Sequence, residues 1–178
     1  MTEQLKIDFD KIVESLELSN ENLESRKKNL NQFVENGFPN KRVEDWKFSD
    51  LNQIISSNIE NLCFHSDLKL SKVDETIFIN KFKHNKIVFL NGVISNIDFS
   101  HEDETKVLLT KDFNHNQNFK EINPLVSLNN ALNVSYIRIT VKENYSLNKP
   151  LIIYNVTTKE LKSTSLNLKT DIFLEKNS

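Results

Sequence analysis

Lys86-Ile87-Val88-Phe89-Leu90-Asn91-Gly92-Val93-Ile94-Ser95 decides how the rest of the chain is read. Two β-prone runs flank an Asn-Gly pair. A tight type I′ hairpin needs positive φ at both turn positions, and Asn and Gly tolerate it best. A two-stranded hairpin is therefore expected over residues 86–95. Towards the C-terminus, Val107-Leu108-Leu109 reads as a short strand. Pro124 opens a short helix with Leu125, Leu128 and Leu132 on one face. Residues 134–141 alternate, with Ile137, Ile139 and Val141 on one side and Tyr136, Arg138 and Thr140 on the other. Leu151-Ile152-Ile153-Tyr154 follows Pro150 as another strand. Leu166, Leu168, Ile172 and Leu174 share one parity and suggest one or two more. On the N-terminal side, Thr76-Ile77-Phe78-Ile79 is a further strand candidate.

The first third has a different period. Leu5, Phe9, Ile12, Val13 and Leu16 recur at steps of three and four, the spacing of one helical face. Ser19 and Asn20 break the pattern and can cap a second helix. Leu23, Leu30, Phe33 and Val34 line that helix, with Lys27 interrupting. Gly37 sits at a C′ position and Pro39 follows as a stop. A helical hairpin over roughly residues 3–36 is the simplest reading. Residues 38–51 have no clean period, and Ser49 or Asp50 could cap a short helix carrying Leu51, Ile54 and Ile55. Helices first and strands afterwards make an α+β pattern, not an alternating βαβ one.

The chain has 178 residues, enough for one or two domains. Lys and Arg number 23 against 25 Asp and Glu, a net charge of −2, so no bulk field draws it to nucleic acid or an anionic membrane. Leu, Ile, Val and Phe total 60, about a third, well above the composition of disordered chains. No apolar run is long enough to span a bilayer, and residues 1–14 lack the apolar block of a targeting segment. Cys63 is the single cysteine, so an internal disulfide is impossible and a reducing compartment is expected. Twenty Lys to three Arg, 25 Asn and one Ala are read as genomic base composition, not function.

With two glycines in total, neither GxGxxG nor GxxxxGK[ST] can be built, which excludes nucleotide binding through a standard phosphate loop. GxSxG and HExxH are absent. Cys63 and His65 form a Cys-x-His pair, but a metal site needs two more ligands, and His84, His101 and His115 show no ligand spacing. A structural or incidental role is the reading. His101-Glu102-Asp103-Glu104 lacks EF-hand spacing and reads as a solvated loop. Lys81, Phe82, Lys83 and Lys86 loosely suggest a single-strand-binding platform, and a strand edge protected by Lys is preferred. In Lys41-Arg42-Val43-Glu44-Asp45-Trp46-Lys47-Phe48, the only Trp stands among alternating charges. The preferred reading has Trp46 and Phe48 anchoring a loop against the helices. The sharper one has them marking a protein contact, since Trp and Arg favour interface centres.

The last segment also carries a resemblance. Phe38-Pro39-Asn40-Lys41-Arg42-Val43-Glu44-Asp45-Trp46-Lys47-Phe48-Ser49-Asp50-Leu51 resembles the "P..R.EDWK(Y/F)..L" segment near the start of the SufD family of iron–sulfur cluster assembly proteins. Ile87-Val88-Phe89-Leu90-Asn91-Gly92 resembles that family's "vFvNG" hairpin. Residues 123–132, NPLVSLNNAL, resemble its "PF..LN.A" helix, and Lys149-Pro150-Leu151-Ile152-Ile153 its "kPi.i" strand. The four stretches keep the family's order and span roughly residues 37–178. Asn133 departs from the pattern, standing where a Gly often follows the helix.

The resemblance implies a non-enzymatic scaffold of the SUF system. Such proteins pair in the cytoplasm with a SufB-like protein and a SufC-like ATPase to build iron–sulfur clusters. It implies an N-terminal helical region over residues 1–60 and an α+β, hairpin-containing region over 61–148. Residues 149–178 would then begin a right-handed parallel β-helix. The family's ATPase-contacting helices and its Cys/His positions match nothing here. No catalytic, cofactor-binding, metal or partner-contact residue is therefore carried over, and no cofactor is implied. Leu166, Leu168 and Ile172-Phe173-Leu174 lead to Lys176-Asn177-Ser178 with no closing element, so the chain is expected to be a fragment holding the first coil or two. The alternative is a self-contained small α+β binding module of unknown ligand.

Overall fold

The computed structural model of the chain describes residues 2–66, 73–111 and 123–178. It is a mixed α+β structure with two small mixed sheets. The chain divides into two compact units, each assembled from three separate stretches.

The first unit comprises Met1–Ser66, Phe113–Val134 and Lys162–Asn167. Its helices are α1 (Thr2–Glu14), α2 (Asn20–Asn36), α3 (Leu51–Asn58) and α5 (Pro124–Leu132). The caps fall where short polar side chains predict them. Ser19 Oγ accepts from the Asn22 amide at 3.2 Å, and Asp50 Oδ1 accepts from the Gln53 amide at 2.9 Å. Asn123 Oδ1 accepts from the Leu125 amide ahead of α5, with Pro124 at its first turn. Gly37 ends α2 at φ 67°, where a side chain would be strained, and its N–H returns to the Phe33 carbonyl. Leu5, Phe9 and Ile12 of α1 share one core with Leu30 and Phe33 of α2, Leu128, Ala131 and Leu132 of α5, and Phe38 and Phe64.

The expected hairpin of α1 and α2 needs a correction. Both helices form, but α2 takes α5 as its main helical neighbour. The reason is Arg26, one position before the Lys27 that appeared to interrupt the apolar face. Arg26 is buried with Asn22, Leu30 and Phe33, and Val34 is exposed instead. Its Nη1 donates to the Ala131 carbonyl at 2.9 Å, its Nη2 to the Asn133 carbonyl at 3.0 Å, and its Nε to Asn22 Oδ1 at 2.9 Å. The guanidinium thus caps the C-terminal carbonyls of α5, where the helix dipole favours a cation.

The second unit comprises Asp67–Asp112, Ser135–Leu161 and Leu168–Ser178. Its strands are β1 (Asn85–Leu90), β2 (Val93–Asp98), β3 (Val107–Thr110), β4 (Ser135–Val141), β5 (Leu151–Val156) and β6 (Leu168–Leu174), with one helical turn, α4 (His101–Glu104). One sheet has the order β2-β1-β5 and the other β3-β4-β6. In each, the central strand has an antiparallel neighbour on one side and a parallel one on the other. Asn91 and Gly92 take φ of 50° and 84°, as the hairpin reading requires. Val88 pairs with Asn96 and Phe89 with Ile94, so Ser95 is the extra residue of a bulge. Ile87, Phe89, Val107, Ile137 and Ile139 form one buried cluster fed by both sheets.

Two strand expectations are overturned. Thr76–Ile79 is not a strand: Glu75–Ile77 forms a 3₁₀ turn because Asp74 Oδ1 accepts from both the Thr76 amide, at 2.9 Å, and its hydroxyl, at 2.8 Å. Nor is the Lys81–Lys86 stretch a protected edge. Lys81–His84 is loop, and Lys86 lies on β1, the middle strand of its sheet.

Candidate functional site

Cys63 and His65 follow α3 in the first unit. Cys63 is half-buried, with its Sγ 3.7 Å from the Asn61 carbonyl. Its backbone makes a bridge to Thr164: the Cys63 amide donates to Ser163, and the Cys63 carbonyl accepts from Ser165, both at 2.8 Å. Asp8 of α1 fixes the next residue, accepting from the Phe64 amide at 2.7 Å. Among the described residues no three His, Cys, Asp or Glu side chains gather closely enough to hold a metal ion. His115 lies outside the described residues.

His101, Glu102 and Glu104 of the acidic run are exposed, as a solvated segment would be, but the run is a helical turn and not a loop. Ser100 caps α4, and Asp103 within that turn is fully buried. Its carboxylate accepts from Asn85 Nδ2, Tyr145 Oη and the Asn148 amide at 2.8 Å each, from Ser100 Oγ at 2.7 Å, and from the Lys149 amide at 3.3 Å. Burial alone would raise the pKa of Asp103. The hydrogen bonds from Asn85, Ser100, Asn148 and Tyr145 outweigh it and hold the group well below the usual carboxylate range. A carboxylate so saturated with donors is a structural anchor, not a base. It ties the start of β1 to the 145–149 loop that leads into β5.

The arrangement with open chemistry lies beside that anchor. Phe78, Phe82, His84, Lys83, Lys86 and Lys149 line a groove of about 310 Å³ in the second unit. The rings brace one another. Phe78 meets Tyr154 of β5 edge-on with centroids 4.8 Å apart, and Phe82 meets His84 at 5.6 Å. Lys86 Nζ lies 5.0 Å from the Phe78 centroid and 3.5 Å from Asp98 Oδ2. The Ile79 amide donates to Tyr154 Oη at 3.1 Å, and that oxygen is 2.9 Å from His84 Nε2. In the neutral ring the tyrosine proton points at Nε2, and Nδ1–H donates to the Phe82 carbonyl at 3.1 Å. Of these residues, only Phe82, Lys83 and Lys86 were legible, together with Lys81 outside the groove, as a basic–aromatic group. Phe78 and Tyr154 join through the fold.

Glu44–Trp46 forms a 3₁₀ turn in the first unit, with Lys47 following as its cap. Trp46 is half-buried, but Phe48 is 89% exposed and Val43 is exposed too, so Phe48 is no anchor. Glu44 and Lys47 pair with each other at 2.8 Å, both largely in solvent. The Lys47 ammonium also lies 5.3 Å from the Phe48 centroid.

No family model matches the chain, and no curated protein matches it. Among the described residues no helix is long and apolar enough to cross a membrane.

Proposed function

We propose that the chain is the N-terminal portion of a SufD-like scaffold. It would act in the cytoplasm with a SufB-like protein and a SufC-like ATPase in iron–sulfur cluster assembly, without catalysis of its own. The supporting observation is the path of the last three strands. β4 lies in one sheet, β5 in the other and β6 back in the first. β5 adds parallel to β1, and β6 parallel to β4. That β5 and β6 alternate between two sheets, each laid parallel on an earlier strand, supports reading them as the start of a parallel β-helix, in which each coil is buried only by its neighbours.

The side chains of β6 agree with this reading. Ile172 is in register with buried Ile139, and Leu174 with buried Val141. They continue the core-facing rows of β4, yet they are 60% and 58% exposed. A further coil on β6 would cover them. The exposed Phe48, in the segment that resembles the family, offers a partner contact.

The test is native purification of the gene product tagged at its N-terminus on the chromosome. Co-purification with a β-helix protein and a P-loop ATPase is the expected result. Recovery of the intact product without either overturns the reading.

A further inference from the structure

We infer that the groove beside β1 binds a small organic anion built from a planar ring and a phosphate, the chemistry of a nucleoside monophosphate. This site would serve the chain whether or not it joins an assembly. No phosphate loop exists to do so, and the recognition rests on side chains instead.

Three features carry the inference. The first is charge: Lys83, Lys86 and Lys149 line the groove against one carboxylate, Asp98, in a chain whose net charge is −2. Lysine ammonium groups serve phosphate as mobile point charges. The second is a ring platform. Phe82 is 49% exposed, yet its ring is held edge-on by His84, which is itself fixed by Tyr154 and the Phe82 carbonyl. A braced, exposed ring loses little freedom when a second ring stacks on it. The third is size. About 310 Å³ is at the low end of small-molecule sites. It suits one ring and one phosphate better than a strand of several nucleotides.

The groove is also rigid where it matters. Asp103 fixes the Lys149 amide from below, and the Asn85 side chain fixes the Lys149 carbonyl at 3.0 Å. The Lys149 main chain is thereby fixed at the groove, and only its side chain remains to be ordered. Preorganisation of this kind favours affinity by reducing the ordering cost of binding.

The test is a nuclear magnetic resonance titration of the full chain at low salt with adenosine monophosphate, adenosine and inorganic phosphate. Adenosine monophosphate is expected to shift the Phe82, Lys83, His84 and Lys149 amides and to bind more tightly than either of its parts. The double variant Lys83→Gln, Lys149→Gln should weaken it about tenfold or more, as expected for two lost charge-assisted contacts. Phe82→Leu should bring its affinity close to that of phosphate alone. These side chains lie at the surface, and an unchanged spectrum elsewhere reports that each variant is folded. Absence of shifts at these amides, phosphate binding as tightly as the nucleotide, or an unaltered affinity in the double variant each overturns the inference.

Discussion

Arg26 directs a buried guanidinium at the end of α5, a helix reached only a hundred residues later in the chain. Burial lowers its pKa to about 10, so it stays charged at neutral pH and its hydrogen bonds are charge-assisted. Replacing it with Ala leaves the Ala131 and Asn133 carbonyls without these donors and should cost about 2–4 kcal/mol, read in chemical denaturation. Lys should restore little, because one ammonium cannot reproduce the fork. Asp103 makes the complementary prediction for pH. Its folded pKa lies below the unfolded value, so its stabilisation is complete above about pH 4 and is lost as pH falls further. Asp103→Asn should lower stability at neutral pH and flatten its decline in acid. Tyr136, pushed up to about 12 by burial and its bond to Asp171, should give a phenol ionisation near pH 12 that Tyr136→Phe removes from the ultraviolet titration. Neither Arg26 nor Asp103 was legible in sequence. A charge beside other charges reads as solvated unless its distant partners are known, and here those partners are carbonyls at the end of α5 for Arg26 and, for Asp103, Asn85 and the Tyr145–Lys149 loop, which only the fold brings near.

Elements were legible where local chemistry and packing agree. The Asn91-Gly92 turn, the alternation of β4 and the Asn123-Pro124 start of α5 all form as the spacing predicts. Gly92→Ala tests how far the turn depends on backbone freedom. At φ 84° a Cβ is disfavoured by roughly 1 kcal/mol or more, and the thermal midpoint should fall by several degrees. Thr76–Ile79 shows the opposite balance. Its residues favour a strand, but Asp74 captures the Thr76 amide and hydroxyl. The groove was half legible for a related reason. Lys83 and Lys86 are neighbours in sequence, whereas Tyr154 and Lys149 arrive through the parallel pairing of β5 with β1.

At the scale of the molecule, β6 is the end strand of its sheet among the described residues, and its Ile172, Phe173 and Leu174 are exposed. An apolar strand edge of this kind recruits further strands. The chain should self-associate with concentration in sedimentation experiments, and Ile172→Lys with Leu174→Lys should hold it monomeric. Because both positions already face solvent, the double variant should lose little stability. A wild-type chain that stays monomeric at high concentration would show that the edge is self-sufficient.

The interleaving of the two units has a consequence for how the polypeptide is made. The bridge between Cys63 and Thr164, and the Arg26 cap on α5, join the first unit's opening stretch to residues synthesised much later. A ribosome that has released α1, α2 and α3 has therefore released three helices whose shared core still lacks Leu128, Ala131 and Leu132. Folding must wait for distant chain, and contacts of such long sequence separation form slowly. Protease resistance in nascent chains of increasing length should appear late and in one step, after residue 167 has emerged, and the early helices must until then be kept from aggregating.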